Sequence, residues 1–152
     1  MSAGHPDAEA TSALQYLAAR YWAQADGIEP LAIAELFTQD SVLELGQLKL
    51  EGCAAIAEFF ARREADRRAE QRNTRHLASN FLAVSITPDL VRIKSTVAVF
   101  VGSGTLPLPI ELPSGIADFE DVCIRTPDGR WLFHSRCGRT VFFGPSAAAF
   151  AR

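Results

Sequence analysis

Apolar residues near the start of the chain recur with the period of a helix. Between residues 8 and 25 they return every three or four positions, which predicts an amphipathic helix that stops at Gly27. A short second helix is predicted within "IEPLAIAELFTQD", where Pro30 lies near the start. A third is predicted from Cys53 to about Arg68. Its helical period is kept by Ile56, Phe59, Phe60 and Arg63.

The period changes to two after Asn73, which is typical of strands. Four long strands are predicted in "TRHLASNFLAVSI", "LVRIKSTVAVFVG", "GIADFEDVCIRT" and "RWLFHSRCGRTVFF", with a Pro-rich loop, "SGTLPLPIELPS", between the second and the third. Earlier in the chain, "SVLEL" and "LKLEG" predict a hairpin that turns at Gly46 and Gln47. This order predicts one α+β domain over residues 1–152, with three helices packed on one face of a curved antiparallel sheet.

Composition narrows the possible partners. The 152 residues carry a net charge of -3 that is scattered along the chain, which argues against nucleic acid as a partner. The mixed run "RREADRRAEQR" is interpreted as a solvated helix face with local ion pairs, and a phosphate or acidic-substrate site is the alternative. Because the three cysteines lack C-x-x-C spacing, neither a disulfide framework nor a metal site is expected. Without a signal peptide or a membrane-length segment, we expect a cytoplasmic protein with no membrane partner.

Two polar residues stand out on the first long strand. His76 and Asn80 fall on its mostly apolar even-numbered face, which is predicted to point inward, and buried polar groups need partners. Asp26 lies one helical turn after Trp22 on an apolar stripe, so we expect it to pair with His76. A carboxylate on one ring nitrogen leaves the other as a base. The alternative is a core histidine bonded to the backbone, with Asp26 only ending its helix. The other members of the even-numbered face are Ala78, Leu82, Val84 and Ile86.

A second group of candidates lies on the strand "GIADFEDVCIRT". Its odd-numbered residues, Phe119, Asp121, Cys123 and Arg125, share one face. Asp121 and Arg125 are candidates for a pocket wall, with ordinary cross-strand ion pairing as the alternative.

The remaining aromatic and basic residues near these candidates have simpler interpretations. Tyr21 and Trp22 are interpreted as core aromatics, with ligand contact as the alternative. Arg136 and Arg139 are assigned to the surface or to the rim of a site.

Three segments carry a resemblance to a known family: "RYWAQADGIEPLAIAELFTQDSVLEL", "EGCAAIAEFFARR" and "RHLASN". Together with the order of elements, they resemble the nuclear transport factor 2-like superfamily over about residues 10–143. The closest likeness is to the SnoaL-like branch, which holds polyketide cyclases, scytalone dehydratase and hexachlorocyclohexane dehydrochlorinase. The resemblance implies a cone-shaped curved sheet around a cavity for a small hydrophobic molecule.

The resemblance also implies roles for residues. In the dehydratase and dehydrochlorinase members, an Asp at the end of the first helix and a His on the first long strand remove a proton, and these match Asp26 and His76. The positions that match pocket residues are Tyr21, Asn80, Asp121 and Arg125. The implied function is a cofactor-free lyase or isomerase acting on a small ring compound. The alternatives are a binding or accessory protein without turnover, and a structural subunit resembling the small subunit of ring-hydroxylating dioxygenases.

The resemblance and the apolar strand at 91–101 further predict a homodimer or higher homo-oligomer. In the tail "GPSAAAFAR", Phe150 is expected to approach the cavity mouth or the dimer surface.

Overall fold

The computed structural model describes residues 4–145, which form one six-stranded curved sheet with two α-helices. The elements in chain order are α1 (Ala8–Ala25), a 3-10 turn (Ile33–Leu36), β1 (Phe37–Leu45), β2 (Leu48–Glu51), α2 (Cys53–Ala69), β3 (Arg72–Thr87), β4 (Leu90–Ser103), β5 (Gly115–Arg125) and β6 (Trp131–Phe143). The expected position of Phe150 lies outside the described residues.

The sheet has the strand order β2-β1-β6-β5-β4-β3. Strands β3 to β6 pair antiparallel, each with its neighbour in sequence, which confirms the predicted meander. The β1–β2 hairpin is also as predicted, and it joins the sheet through a parallel pairing of β1 with β6. Within the described part of the chain, none of the helices has both the length and the apolar character needed to cross a membrane.

The predicted second helix is wrong. Only a single 3-10 turn forms there, and Phe37 immediately begins β1. Ile33 and Leu36 are buried as expected for a core-facing segment, but the chain then pairs with β2 and β6. Sheet pairing therefore overrides a helical spacing that was only a few residues long.

Strand β3 contains one extra residue relative to β4. Ser79 lies opposite Thr96 whereas Leu82 lies opposite Lys94, and Asn80 between them has a φ of 55°. A bulge of this kind reverses the faces to which later side chains point. The single inward face predicted for β3 is therefore wrong after its first half. Of the even-numbered residues, Asn80, Leu82 and Ile86 are exposed from the bulge onward, and Ala78 is exposed just before it.

Strand β6 has a similar irregularity. Phe133 lies opposite Cys123 and Ser135 lies opposite Val122, which leaves His134 as the extra residue. The shift places Arg136 on the inner face of the sheet, where it is 1% exposed. The assignment of Arg136 to the surface is wrong for this reason.

The core lies between the helices and the inner face of the sheet, with Tyr21 of α1 near its centre. The Tyr21 ring makes edge contacts with four other rings at centroid distances of 4.8 to 6.1 Å. Edge-to-face contacts of this kind add to the stabilisation from burial. The four rings are those of Trp22, Phe37, Phe60 and Phe133.

Gly138 of β6 provides a test of this packing. A Cβ at this position would lie 2.5 Å from Cζ of Phe119, a ring that is itself buried. We expect Gly138→Ala to lower the free energy of unfolding by about 1–3 kcal/mol, as overpacking does elsewhere. Gly4→Ala is the control, because nothing lies within 4 Å of a Cβ there. Urea denaturation measures both, and equal stability of the two variants would contradict the packing described.

Candidate active site

The carboxylate of Asp26 joins the end of α1 to β3 through three hydrogen bonds. Its Oδ1 accepts from the Thr74 hydroxyl and from Nδ1 of His76, each at 2.6 Å. Its Oδ2 accepts from the backbone N–H of His76 at 2.8 Å. The predicted Asp26–His76 contact is therefore present, and Thr74 is an additional partner.

Local structure explains why these groups meet. Asp26 is the C-cap of α1, and Gly27 follows with a φ of 68°, which ends the helix. Thr74 and His76 are two residues apart on β3, before the bulge, so both side chains point to the face that α1 covers.

The hydrogen bonds decide the charge of Asp26. Burial by itself raises the pKa of Asp26, but the bonds and charge of His76 and the bond from Thr74 outweigh burial and hold that pKa below its ordinary value. An ionised carboxylate only accepts hydrogen bonds, so Nδ1 of His76 must carry the proton. This leaves Nε2 as the ring nitrogen with a lone pair.

The His76 ring is also fixed by stacking. It lies nearly parallel to the Trp22 ring, with the centroids 4.5 Å apart and 20° between the planes. The side chain of His76 is about one-tenth exposed. The imidazole is thus held on two sides, by a carboxylate at one edge and by an indole at one face.

His76 lines a cavity of about 110 Å³ that opens between the sheet and the helices. The apolar part of its wall is formed by Trp22, Leu45, Val97, Val99, Ile116, Ala117 and Phe119. The polar side chains in the wall are Tyr21, Arg63, His76, Ser114 and Thr140. The space compares with the roughly 150 Å³ engineered cavity that accommodates benzene. Its dimensions therefore suit a single ring.

An ion pair lies buried beside this cavity. Nε of Arg136 is 3.2 Å from Oδ1 of Asp121, and both side chains are 1% exposed. Burial raises the pKa of Asp121 to about 6, against the attraction of Arg136. The Arg136 guanidinium lies 3.9 Å from the Tyr21 ring centroid, a cation–π distance. Its other ring neighbours are Trp22, Phe119 and Phe133.

The residues predicted for a pocket fall into three groups. Tyr21, Trp22 and Phe119 line the cavity together with His76. Asp121 shares the inner face of β5 with Phe119, as predicted, but its partner is Arg136 and it does not line the cavity. The ion-pair interpretation is thus the correct one for this residue.

Asn80 and Arg125, which were predicted for the pocket, do not line the cavity that contains His76. The β3 bulge exposes Asn80 in a groove on the outer face of the sheet. Arg125 is exposed at the end of β5, near Asp7 and Gly129, because strand length carries it away from the cavity even though its face was predicted correctly.

The inward positions of Arg63 and Arg136 were not predicted from the sequence. Arg63 keeps the helical period of Ile56 and Phe60, both buried, and this spacing was the signal that it points inward. The surrounding run nevertheless forms the predicted surface ion pairs, including Arg62 with Glu58 at 3.0 Å. No sequence signal marked Arg136, since its orientation follows from the bulge at His134.

Residues 4–145 contain no group of three or more His, Cys, Asp or Glu side chains arranged to hold a metal ion. The cysteines are free thiols, of which Cys53 and Cys123 are buried.

The chain was compared with known proteins. A family model described as "SnoaL-like domain" matches residues 6–137. The fold resembles that of a scytalone dehydratase-like protein from Novosphingobium aromaticivorans DSM 12444, with a TM-score of 0.72, 21% identity, and coverage of 88% of this chain and 85% of that one. A search of curated proteins gave no match.

Two further solved structures are similar in fold. ActVI-ORFA from Streptomyces coelicolor has a TM-score of 0.76 and 16% identity, covering 91% of this chain and 100% of that one. LinA has a TM-score of 0.72 and 20% identity, covering 92% and 91%. At these identities the likeness concerns the fold.

The raised pKa of Asp121 makes stability depend on pH. In the folded chain the Asp121 carboxyl keeps its proton up to about pH 6, whereas in the unfolded chain it loses that proton near its ordinary pKa. Its contribution to the free energy of unfolding is therefore fully present below the ordinary pKa and is lost as pH rises through about 6. The rise of the Asp121 pKa to about 6 corresponds to about 3 kcal/mol of stability. As pH rises from 4 to 7, we therefore expect the free energy of unfolding of the native chain to fall relative to that of Asp121→Asn, by an amount of this order.

The measurement is urea denaturation across that pH range, read as the difference between variant and native chain. Asp118→Asn is the matched control, because Asp118 lies on the exposed face of the same strand. A difference for Asp121→Asn that does not change with pH would contradict the assignment.

Proposed function

Because the chain belongs to the SnoaL-like domain family, we propose that it is a cofactor-free lyase or isomerase in which His76 removes a proton from a small ring compound. Dehydration, halide elimination, double-bond migration and ring closure all begin with such a transfer. The family and the fold likenesses to a scytalone dehydratase-like protein, ActVI-ORFA and LinA support this reaction class.

The single observation that carries the proposal is the 2.6 Å contact between Asp26 and Nδ1 of His76 at the cavity wall. Asp26 fixes the tautomer in which Nε2 is the base, and it stabilises the imidazolium once a proton arrives. The bond from Thr74 and the bond from the His76 backbone hold the carboxylate in place. Trp22 restrains the imidazole plane through stacking.

Tyr21 is the proposed hydrogen-bond donor to an oxygen of the substrate. Its ring lines the cavity, and burial raises the pKa of Tyr21, so the phenol keeps its proton at neutral pH. A neutral donor stabilises a developing enolate-like oxygen. Asn80 and Arg125, the other candidates for this role, lie elsewhere in the molecule.

A binding or accessory protein without turnover has no need of an oriented base. That alternative predicts Asp26 and His76 beyond hydrogen-bond reach, or a cavity mouth filled by side chains. The 2.6 Å contact, and a cavity that the described residues leave open, favour the enzyme.

His76→Ala and Asp26→Asn test the proposed chemistry. Once a substrate is identified among small enolisable, hydroxylated or halogenated ring compounds, we expect each variant to lower kcat/KM by about 10²- to 10⁴-fold, the range for general-base catalysis. The double variant should lose no more than the worse single one, because both changes disable one proton-transfer unit. In the native chain, activity should fall toward acid pH, since only neutral imidazole accepts a proton.

The chain offers a matched control. His134 and Asp40 form a second histidine–aspartate pair, 3.6 Å apart on the surface, and His134→Ala or Asp40→Asn should leave activity unchanged. Activity that survives His76→Ala would contradict the proposed base. Ring compounds that raise Tm equally in the native chain and in His76→Ala, without turnover of any of them, would favour the binding protein.

We also propose that two copies associate through the outer face of the sheet. Several large apolar side chains are exposed along this face and at the end of β6: Leu77, Leu82, Ile86, Val141, Phe142 and Phe143. Large apolar side chains exposed on one sheet face are the kind of surface that an association site uses.

Light scattering tests this association. We expect a dimer at tens of micromolar protein, and Leu77→Lys combined with Leu82→Lys should shift it toward monomer. A native chain that remains monomeric at that concentration would contradict the association.

A further inference from the structure

The cavity wall contains one permanent charge among the described residues that line it, and that charge is positive. Arg63 contributes a guanidinium, whereas no Asp or Glu belongs to the lining. Arginine stays protonated at every pH that a protein tolerates. A neighbouring negative charge is that of Asp26, which is bonded to Thr74 and His76 just outside the lining.

Helix geometry fixes the direction of Arg63. Residues three and seven positions earlier, Phe60 and Ile56, are buried on the inner face of α2. Arg63 continues that stripe toward the cavity. Its sequence neighbour Arg62 points outward instead, with a side chain that is 67% exposed and pairs with Glu58. The helix thus holds Arg63 at the cavity and the preceding residue, Arg62, in solvent.

Arg63 lies close to the candidate base, because both side chains line the same cavity. Burial and the charge of Arg72 lower the pKa of Arg63, while Tyr21, Asp26 and Glu64 act on it in the opposite direction. Asp26 itself already accepts hydrogen bonds from Thr74 and His76. The cation and the base therefore face the same small space, with Tyr21 in the wall between the sheet and α2.

We propose that Arg63 makes the cavity selective for monocyclic carboxylates, with the ring against the apolar wall and the carboxylate on the guanidinium. The proposal rests on the proposed function, because it takes this cavity to be the substrate site. A guanidinium recognises a carboxylate through a planar fork of two donors, a geometry that a neutral group does not match. A guanidinium has five N–H donors, so a ligand carboxylate can be bound in addition to contacts within the protein.

The same placement suits the chemistry of the dyad. Proton removal by His76 adds negative charge to a substrate, and a fixed cation in a cavity with little water stabilises that charge. A neutral hydrocarbon ring would gain nothing from Arg63, since it offers no acceptor for the guanidinium.

The test uses two probes of nearly equal shape, benzoate and benzamide, with calorimetry on the full chain at pH 7.5. We expect the native chain to bind benzoate about 10- to 100-fold more tightly than benzamide, the range that one charge-assisted hydrogen-bonded contact provides. Arg63→Met should reduce this preference to less than about twofold, leaving the affinity for benzamide nearly unchanged. Arg63→Lys should keep part of the preference, because a point charge remains without the fork.

Arg62→Met is the matched control, since it removes the same charge from the adjacent, outward-facing position. It should keep the native preference, which separates a local contact from general attraction by the basic helix. Thermal unfolding of each variant verifies the fold. Equal affinity of the native chain for benzoate and benzamide, or a preference that survives Arg63→Met, would overturn the proposal.

The outcomes also separate this inference from the proposed function. Equal affinity for both probes, together with turnover that depends on His76, overturns the carboxylate selectivity and keeps the enzyme. A preference for benzoate that is lost in Arg63→Met supports the selectivity even if His76→Ala retains activity and the proposed base is wrong. Failure of both probes to bind would overturn the selectivity and remove support for the cavity as a substrate site.

Discussion

The attachment of α1 to β3 through one carboxylate is the interaction on which the site depends. Asp26 ends its helix and accepts bonds from Thr74 and from two groups of His76. These contacts fix the distance between helix and strand and also the tautomer of the imidazole. A single buried charge therefore has a structural and a chemical consequence. The low pKa of Asp26 reflects the same bonds, because they stabilise the ionised form more than burial destabilises it.

A buried pair of opposite charges lies in the wall behind the cavity. Arg136 and Asp121 come from adjacent strands, and the guanidinium is in contact distance of the rings of Tyr21 and Trp22. Trp22 in turn stacks on His76. Aromatic side chains thus separate the Asp26–His76 contact from the Arg136–Asp121 pair within one core. Burial raises the pKa of both carboxyls, but the net shifts are opposite, since Asp26 has strong donors whereas Asp121 has a less favourable contact with Arg136 at 3.2 Å.

Periodicity predicted the parts of the structure in which it is uninterrupted. The spacing of α1 continues without a break from Leu14 to Asp26, and His76 precedes the bulge of β3, so their meeting could be predicted from the sequence. Two extra residues, Asn80 and His134, reverse the alternation in β3 and β6. The alternation of apolar and polar residues does not predict these bulges, because a bulge is set by pairing with the neighbouring strand. The misplacement of Arg136 and of the second half of β3 follows from that single limitation.

Residues 4–145 contain two histidine–aspartate contacts, and the two imidazoles are held very differently. His134 lies 3.6 Å from Asp40, and their side chains are 42% and 80% exposed. Water competes for both groups there, and Thr38 lies between them, with its Oγ1 3.2 Å from Nδ1 of His134. In the pair of His76 with Asp26, the carboxylate is almost fully buried, the contact is 2.6 Å, and the ring is stacked on Trp22. The residue types are identical, so the two pairs differ in the number of restraints on the imidazole and in the exclusion of water around the carboxylate.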